Sequence, residues 1–291
     1  MNNTQVAGAV NRCLGTPQTD ERRIAITTLP TTADLTGRIE VDRWVYYCVD
    51  DFSVWPGLDG DVIRTMEDAL VARADVRIAA SGQLQERLEQ MPGGVSAALL
   101  THGVELAHWD VCQPDTSVLP QWWSDIERPI YLFWGLVDRR LDIDWCGRLG
   151  QAGGTLVLVG PQQDPDARLA SMAHVFMAAP VPYEQLPALA AASDVLVMPY
   201  GDMPVTRAMQ PLKLTEYLAT AKPAVVRHLP ATAEWADAAD VVDDKDRFVQ
   251  AVQERVRSGL PSSQRHARQR LKEYSWDAKA RQFEALILGG Q

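Results

Sequence analysis

The fold of this chain is decided by the stretch Gln210-Pro211-Leu212-Lys213-Leu214-Thr215-Glu216-Tyr217-Leu218-Ala219-Thr220-Ala221-Lys222-Pro223-Ala224-Val225-Val226. Pro211 suits the first position of a helix, where no backbone N–H is needed. The helix should end before Lys222-Pro223, because the residue preceding a proline disfavours helical geometry. Ala224-Val225-Val226 then predicts a buried strand. The stretch therefore predicts a helix followed directly by a strand, a unit typical of parallel α/β sheets.

Two charged side chains lie on one face of this predicted helix. Lys213 and Glu216 are three residues apart, so they are neighbours on the helix surface. The free N–H groups of a helix start bind anions, and Lys213 adds a positive charge one turn in. Lysine for phosphate and carboxylate for sugar hydroxyls would suit a nucleotide site. The alternative is an ordinary surface helix with an ion pair between the two residues, and both interpretations fit the segment.

The composition excludes several classes of partner. Lys and Arg number 28 against 38 Asp and Glu, for a formal net charge of −10, which disfavours nucleic acids and anionic lipid surfaces. No stretch approaches the roughly 20 apolar residues of a membrane span, and the N-terminus lacks the pattern of a secretory signal. The four cysteines match no zinc or redox spacing; they are Cys13, Cys48, Cys112 and Cys146. We therefore expect a cytoplasmic protein with reduced thiols and no metal site.

Short apolar runs alternate with helical segments along most of the chain. In its first part, the predicted strands are 23–29, 44–49, 76–80 and 97–100, and the predicted helices are 4–14, 60–73 and 83–90. In its second part, the predicted strands are 130–135, 155–161, 175–177, 194–199 and 224–226, and further helices are predicted at 142–151, 182–192, 247–256 and 263–285. A loop rich in Pro, Asp and Gln, residues 112–128, separates the parts. This alternation predicts an α/β protein with two Rossmann-like lobes.

The stretch that starts at Gln210 resembles the donor-site helix of retaining glycosyltransferases with the GT-B fold, in the family 4 or teichuronic-acid-type group. Glu216 matches the second glutamate of that family's paired motif, whereas the position of the first is Ala208. The run Pro211-Leu212-Lys213-Leu214-Thr215-Glu216-Tyr217 matches the pattern of the teichuronic-acid-type members. Other segments resemble the family in the same order along the chain: 49–53, 101–105, 135–142, 193–195 and 274–276.

The resemblance implies an enzyme that moves a sugar, with retention, from a nucleoside-diphosphate sugar to a polysaccharide or glycolipid precursor, without a cofactor or obligatory metal. It implies catalytic roles for Asp50, Lys213 and Glu216. The donor-binding residues that it implies are Gly135, Arg139, Arg140, Gly160, Tyr183, Arg207, Pro211, Leu212 and Leu214. Lys213 and one of the two adjacent arginines would neutralise the leaving phosphate, Glu216 would bind the ribose hydroxyls, and Tyr183 would line the base.

Most of these residues also have a simpler interpretation. Asp50 could bind sugar hydroxyls or act as a base, or it could cap the following turn together with Asp51. The two arginines and Arg207 could be solvated surface residues, and the two glycines could serve ordinary turns. Tyr183 could be a packing residue.

The resemblance also implies how the chain is organised. Residues 1–115 would form a partial N-terminal lobe on the acceptor side, 125–270 the donor lobe, and 271–291 a helix packing back toward the first lobe. The first lobe is shortened relative to the family, which would leave a strand edge open for a second copy of the chain. The implied partners are the donor, a saccharide or lipid-linked acceptor and, with a lipid acceptor, a peripheral membrane contact. A second hypothesis is a degenerate lobe that binds nucleotide or a partner without turnover, which Ala208 favours.

Overall fold

The structure is a computed structural model, and it describes residues 2–55, 57–91, 96–110 and 115–289. Two sheets are present in this part of the chain, one of four strands and one of six, and every strand pair in them is parallel. Parallel neighbours need a crossover connection, which explains the alternation of strands and helices. The predicted α/β class with two lobes is confirmed.

The helices and strands, in chain order, are α1 (Asn3–Leu14), β1 (Ile24–Thr27), β2 (Arg43–Cys48), α2 (Gly60–Arg73), β3 (Val76–Ala79), α3 (Gly82–Glu89), β4 (Ala98–Leu99), α4 (Leu106–Trp109), β5 (Ile130–Trp134), α5 (Ile143–Leu149), β6 (Thr155–Val159), β7 (Val175–Ala178), α6 (Leu186–Ala192), β8 (Val195–Met198), α7 (Pro204–Ala208), α8 (Leu212–Ala219), β9 (Ala224–Arg227), α9 (Pro230–Ala233), β10 (Asp240–Val242), α10 (Lys245–Ser258), α11 (Ser262–Ala267) and α12 (Trp276–Leu288). Short 3-10 helices lie at Pro30–Leu35, Phe52–Val54, Thr116–Val118, Gln121–Asp125, Gly150–Ala152, Leu169–Ser171, Tyr183–Gln185 and Arg268–Tyr274. None of the described helices is long and apolar enough to cross a bilayer.

The first compact unit comprises Met1–His102, Ala208–Gln210 and Lys279–Gln291. Its sheet has the order β1-β2-β3-β4. One hydrophobic cluster joins the sheet to helices α2 and α3; its members include Tyr46, Cys48, Leu70, Ala79, Leu84 and Leu88. A second cluster joins Val45, Ile78 and Leu100 to residues of the C-terminal helix, namely Phe283, Leu286 and Ile287. The central strands β2 and β3 therefore bury side chains on both faces of the sheet, as strands in a parallel sheet do.

The second compact unit comprises Gly103–Arg207 and Pro211–Ala278. Its sheet has the order β10-β9-β8-β5-β6-β7. The chain starts in the middle with β5, adds β6 and β7 on one side, and then returns to add β8, β9 and β10 on the other. The strand order therefore reverses between β5 and β8, and the carboxyl ends of these two strands meet at one edge of the sheet.

The structure differs from the predicted elements near the C-terminus. The single helix predicted over 263–285 is divided into α11, a 3-10 helix and α12. The interruption has a hydrogen-bonding cause, because Val104 N–H donates to the Tyr274 carbonyl and Trp276 N–H donates to the Val104 carbonyl. These backbone groups pair with another segment instead of continuing the helix. Strand β10 was not predicted, because its apolar run consists of only Val241 and Val242, between Asp240 and Asp243.

The cysteines give one clear result. Cys13, Cys48 and Cys146 are free thiols, as predicted; Cys48 and Cys146 are buried as packed residues, whereas Cys13 is exposed. Cys112 lies outside the described residues. Burial and the nearby Glu67 carboxylate raise the pKa of the Cys48 thiol to about 12. The thiol therefore stays protonated at neutral pH, as expected of a packed cysteine.

A buried ion pair links helices α2 and α3 in the first unit. Arg87 donates from Nη1 to Glu67 Oε2 at 2.8 Å and from Nη2 to Glu67 Oε1 at 2.6 Å. The Tyr46 hydroxyl donates to the same Oε1 at 2.6 Å, and Glu67 is fully buried. The two-point contact gives the pair its geometry, and the tyrosine satisfies a remaining acceptor position on the carboxylate.

We expect Glu67→Ala to lower the free energy of unfolding by about 2 kcal/mol, because the buried Tyr46 hydroxyl loses its acceptor and Arg87 keeps only the more distant Asp51 carboxylate, at 3.6 Å. Arg64→Ala is the matched control, since it breaks the exposed Arg64–Asp61 pair and should change stability by less than about 0.5 kcal/mol. Urea denaturation followed by circular dichroism measures both. Equal losses of unfolding free energy in the two variants would contradict a stabilising role of the Glu67–Arg87 pair.

Candidate functional site

The candidate site lies where strands β5 and β8 end. In open parallel sheets, ligands bind outside the carboxyl ends of strands at the point where the strand order reverses. Trp134 and Gly135 stand at the end of β5, Tyr200 follows β8, and Gly160 follows β6. Helix α8, which carries Lys213 and Glu216, contributes side chains to the same edge of the sheet.

Lys213 is held between aromatic rings. Its ammonium lies 5.0 Å from the centre of the Phe133 ring and 4.8 Å from that of Tyr200, and it contacts the Tyr200 hydroxyl. A cation over aromatic faces is attracted by the ring quadrupole. Because Phe133 and Tyr200 are both buried, the positive charge is fixed at the ends of the two strands.

Two glycines let the backbone segments of the site approach closely. Gly135 has φ +127°, and a Cβ atom there would lie 2.8 Å from Cε of Lys213. Gly160 has φ +150°, and a Cβ atom there would overlap the carbonyl oxygen of Gly135. A side chain at position 160 would displace the Gly135 carbonyl, and a side chain at position 135 would displace Lys213. Both glycines are therefore part of the architecture of the site, which is more than an ordinary turn requires.

Glu216 is almost completely buried, with 7% of the residue exposed. Its Oε2 accepts a 2.8 Å hydrogen bond from the indole Nε1 of Trp134. Burial raises the pKa of Glu216, and the Trp134 hydrogen bond together with the positive charges of Lys213 and His108 opposes that rise. Helix α8 is buried from Leu214 to Leu218, so the alternative of an ordinary surface helix is wrong.

The three predicted arginines differ in their surroundings. Arg140 donates from Nε to both carboxylate oxygens of Asp138, at 3.0 and 2.9 Å, and its guanidinium carbon lies 5.9 Å from the Tyr200 ring centre. Lys213 and Arg140 are thus brought to the same tyrosine. Arg139 pairs with Asp164 at 2.6 Å and its side chain is 66% exposed.

Arg207 has the same character as Arg139. It pairs with Asp202 at 2.9 Å, and its side chain is 56% exposed. Both residues match the alternative of a solvated surface arginine, although an exposed arginine can still turn toward a ligand. Exposed pairs of this kind contribute little to stability.

Tyr183 stands at one end of an aromatic series. Its ring stacks on His108 with centroids 4.1 Å apart and planes at 5°, and it meets the edge of Trp109 at 5.8 Å. Trp109 in turn lies parallel to Trp134 at 5.1 Å. The series therefore connects the partly exposed Tyr183 to the indole that holds Glu216.

The remaining predicted residues of the helix start have distinct positions. Pro211 occupies the N-cap, one residue before the helical position predicted for it. Leu212 is partly exposed, whereas Leu214 is fully buried and its N–H donates to the Pro211 carbonyl at 2.9 Å. The Leu214 side chain therefore belongs to the core.

Asp50 lies in the first unit, two residues beyond strand β2. Its Oδ1 accepts from the Asp51 backbone N–H at 2.9 Å. Asp51 caps the following 3-10 helix, since its Oδ1 accepts from the N–H and the hydroxyl of Ser53 at 3.0 and 2.6 Å. The capping interpretation holds for Asp51, and the catalytic role of Asp50 stays a prediction.

Sequence reasoning missed four residues of the site: Phe133, Trp134, Tyr200 and His108. A signal for two of them was present, because Trp134 and Tyr200 stand at the ends of predicted strands, where ligands of parallel sheets bind. His108 gave no such signal, since its partner Tyr183 is 75 residues away along the chain.

We expect Gly160→Ala to destabilise the protein by at least about 2 kcal/mol, because it combines a strained φ with an overlap on the Gly135 carbonyl. Gly153→Ala is the matched control, since Gly153 also has a positive φ of 74° but has no atom within 4 Å of the added Cβ. Its loss should be about 1 kcal/mol. Chemical denaturation of both variants measures the difference, and equal losses would contradict the close approach of Gly160 to Gly135.

Comparisons with known proteins give matches to a part of the chain and to its fold. The family model for glycosyl transferases group 1 matches residues 145–258. TuaH of Bacillus subtilis (strain 168), a candidate teichuronic acid biosynthesis glycosyltransferase, is 27% identical over 183 residues, which are 60% of this chain and 45% of that protein. The match thus spans less than half of the length of that relative.

Solved structures extend the likeness to nearly the whole chain. Sucrose-phosphate synthase from Thermosynechococcus elongatus has a TM-score of 0.74 at 18% identity, covering 97% of this chain and 76% of that one. Anabaena HepE in complex with UDP-glucose has a TM-score of 0.77 at 12% identity, covering 99% and 82%. Identities this low show the fold alone. The chain thus has the GT-B-like fold, its residues 145–258 match the model of the group 1 glycosyl transferases, and TuaH is a distant relative.

Proposed function

We propose that this protein transfers a sugar from a UDP-sugar donor and that the second unit holds the donor. The observation that carries the proposal is the placement of Lys213 and Glu216 at the reversal point of the six-stranded sheet. Uridine as the nucleoside is supported by the fold shared with HepE, which was solved with UDP and with UDP-glucose.

The cations of the site would act on the diphosphate. When the sugar leaves, negative charge develops on the phosphate, and a preorganised positive charge stabilises the transition state more than water does. Lys213 is preorganised by the Phe133 and Tyr200 rings. Arg140 lies against the same tyrosine and is paired with Asp138, so it would add a second charge by turning from that carboxylate to the phosphate. The start of helix α8 contributes its dipole.

Glu216 and Tyr183 would hold the nucleoside. An ionised carboxylate accepts hydrogen bonds from two neighbouring ribose hydroxyls, and Glu216 has an oxygen, Oε1, beyond the one that binds Trp134. Tyr183 is 44% exposed and backed by His108, which suits a ring on which a base can stack. Gly135 and Gly160 allow a ligand to approach the backbone.

The acceptor side of the proposal rests on likeness. TuaH is a candidate teichuronic acid biosynthesis glycosyltransferase, which supports a polysaccharide or glycolipid precursor as acceptor. Retention at the transferred carbon is proposed from the resemblance of the stretch that starts at Gln210 to retaining enzymes. Asp50, at the end of β2 in the first unit, is the carboxylate that we propose for the acceptor or the transferred sugar.

A second function is favoured by one observation. Ala208 occupies the place of the first glutamate of the family motif, so the chain lacks a carboxylate there. A protein that binds the nucleotide and does not turn it over would tolerate this loss. Release of UDP from a UDP-sugar in the presence of acceptor separates the enzyme from the binder.

We expect UDP to bind the wild-type protein, and Lys213→Ala and Glu216→Ala each to weaken binding by roughly 10- to 100-fold, as the loss of a hydrogen bond to a charged group does. Isothermal titration calorimetry with UDP and with GDP measures this. Lys272→Ala and Glu254→Ala are matched controls, because both side chains are exposed on other segments, and they should bind UDP as the wild type does.

The outcomes separate the hypotheses. UDP binding that both site variants lose places the nucleotide on helix α8. A well-folded wild type that binds neither UDP nor GDP would overturn the proposed function and leave only a shared fold. Binding of UDP without sugar transfer to any acceptor would favour the second function.

A further inference from the structure

Trp134 makes a contact with Glu216 that packing alone does not require. Its indole Nε1 donates to Glu216 Oε2 at 2.8 Å, and both residues are buried. The indole N–H is a donor only and points in one direction, so the bond selects one carboxylate oxygen and one rotation of the carboxyl group. Oε1 is then the oxygen left to face a ligand.

The indole is itself rigidly held. Trp109 lies parallel to it with ring centroids 5.1 Å apart and planes at 10°, and Tyr217 packs against it at 4.4 Å and 65°. Trp134 is also the last residue of the central strand β5, next to Gly135. The position of the N–H donor is therefore fixed by the sheet and by two aromatic neighbours.

We propose that Trp134 is a positioning residue, whose N–H orients the Glu216 carboxylate for the donor's ribose. This inference rests on the proposed donor site. Trp134 acts through Glu216 without touching the donor, and its N–H contributes to the pH dependence of donor binding.

The electrostatics give the bond a second consequence. A carboxylate accepts from two ribose hydroxyls only when it is ionised. Burial raises the pKa of Glu216, and the Trp134 hydrogen bond is first among the interactions that oppose this rise. Without the N–H, the carboxyl group would take up a proton at a higher pH, and donor binding would be lost earlier on acidification.

Four other charged or titratable groups lie near Glu216. They are Lys213 on the same helix, His108 on α4, Tyr183 on the adjacent 3-10 helix and the neighbouring Tyr217. Burial raises the pKa of both tyrosines, so they stay neutral below pH 8. Imidazole is the side chain that changes charge between pH 5 and 8, so His108 needs its own control.

The decisive variant is Trp134→Phe, which keeps an aromatic ring and removes the N–H. We expect its UDP affinity, measured by calorimetry from pH 4.5 to 8, to fall by up to roughly tenfold at the acid end of this range and less at pH 8. The acid limb, which is the pH range in which binding is lost on acidification, should move up by about one pH unit. Ionisation of UDP itself cancels in the ratio of variant to wild type. Trp145→Phe, at another buried indole of the same unit, should leave the limb in place.

Combining Trp134→Phe with a second substitution shows whether its effect on binding passes through Glu216. In Glu216→Ala, adding Trp134→Phe should cause no further loss, because the group on which Trp134 acts is gone. In His108→Gln, the shift of the limb should persist. An equal loss at every pH, or an unchanged further loss in Glu216→Ala, would overturn the positioning role and leave Trp134 as a packing residue.

A measurement without nucleotide keeps the inference testable if Trp134→Phe does not fold. In the wild type, the indole N–H resonance of Trp134 should titrate together with the Glu216 carboxyl carbon, and this titration should vanish in Glu216→Ala. An indole resonance that ignores the carboxyl group would overturn the inference. Failure of the wild type to bind UDP, with the two resonances still coupled, would instead overturn the proposed function.

Discussion

The site depends on the close approach of the ends of β5 and β6, which the absence of side chains at Gly135 and Gly160 permits. A Cβ atom on Gly160 would overlap the Gly135 carbonyl, and a Cβ atom on Gly135 would lie against Lys213. Parallel strands deliver their carboxyl ends to one edge of the sheet, but they do not by themselves bring a helix side chain onto that edge. The two glycines remove the steric barrier, and the lysine charge can then lie over the ends of β5 and β8.

Aromatic residues then determine where the charges of the site lie. Lys213 is held by ring faces, whereas Glu216 is held by a ring edge, the indole N–H of Trp134. These residues are three apart on one helix, yet each is directed to its own aromatic partner. A direct ion pair would let each charge satisfy the other, leaving less for a ligand. Separate aromatic contacts keep one charge of each sign available at the same edge.

The sequence predicted the framework of the site better than its interior. Periodicity and prolines were sufficient for nine of the ten described strands and for the longer helices before residue 260, because local backbone preferences dominate there. The long helix predicted over 263–285 failed because backbone groups of Tyr274 and Trp276 pair with Val104, a contact that no local pattern records. Leu214 was assigned to the donor from its place in a motif, and only the three-dimensional packing shows that its side chain is in the core.

The replacement of a family glutamate by Ala208 has a physical meaning within the proposed donor site. Stabilisation of a departing diphosphate needs positive charge, which Lys213 and Arg140 can supply whatever residue stands at position 208. Recognition of sugar hydroxyls needs acceptors, and an alanine side chain offers none. If helix α8 holds the nucleotide as proposed, the loss at position 208 falls on contacts to the sugar or the acceptor. Weak selection among UDP-sugars is the expected result of such a site, whether or not it turns them over.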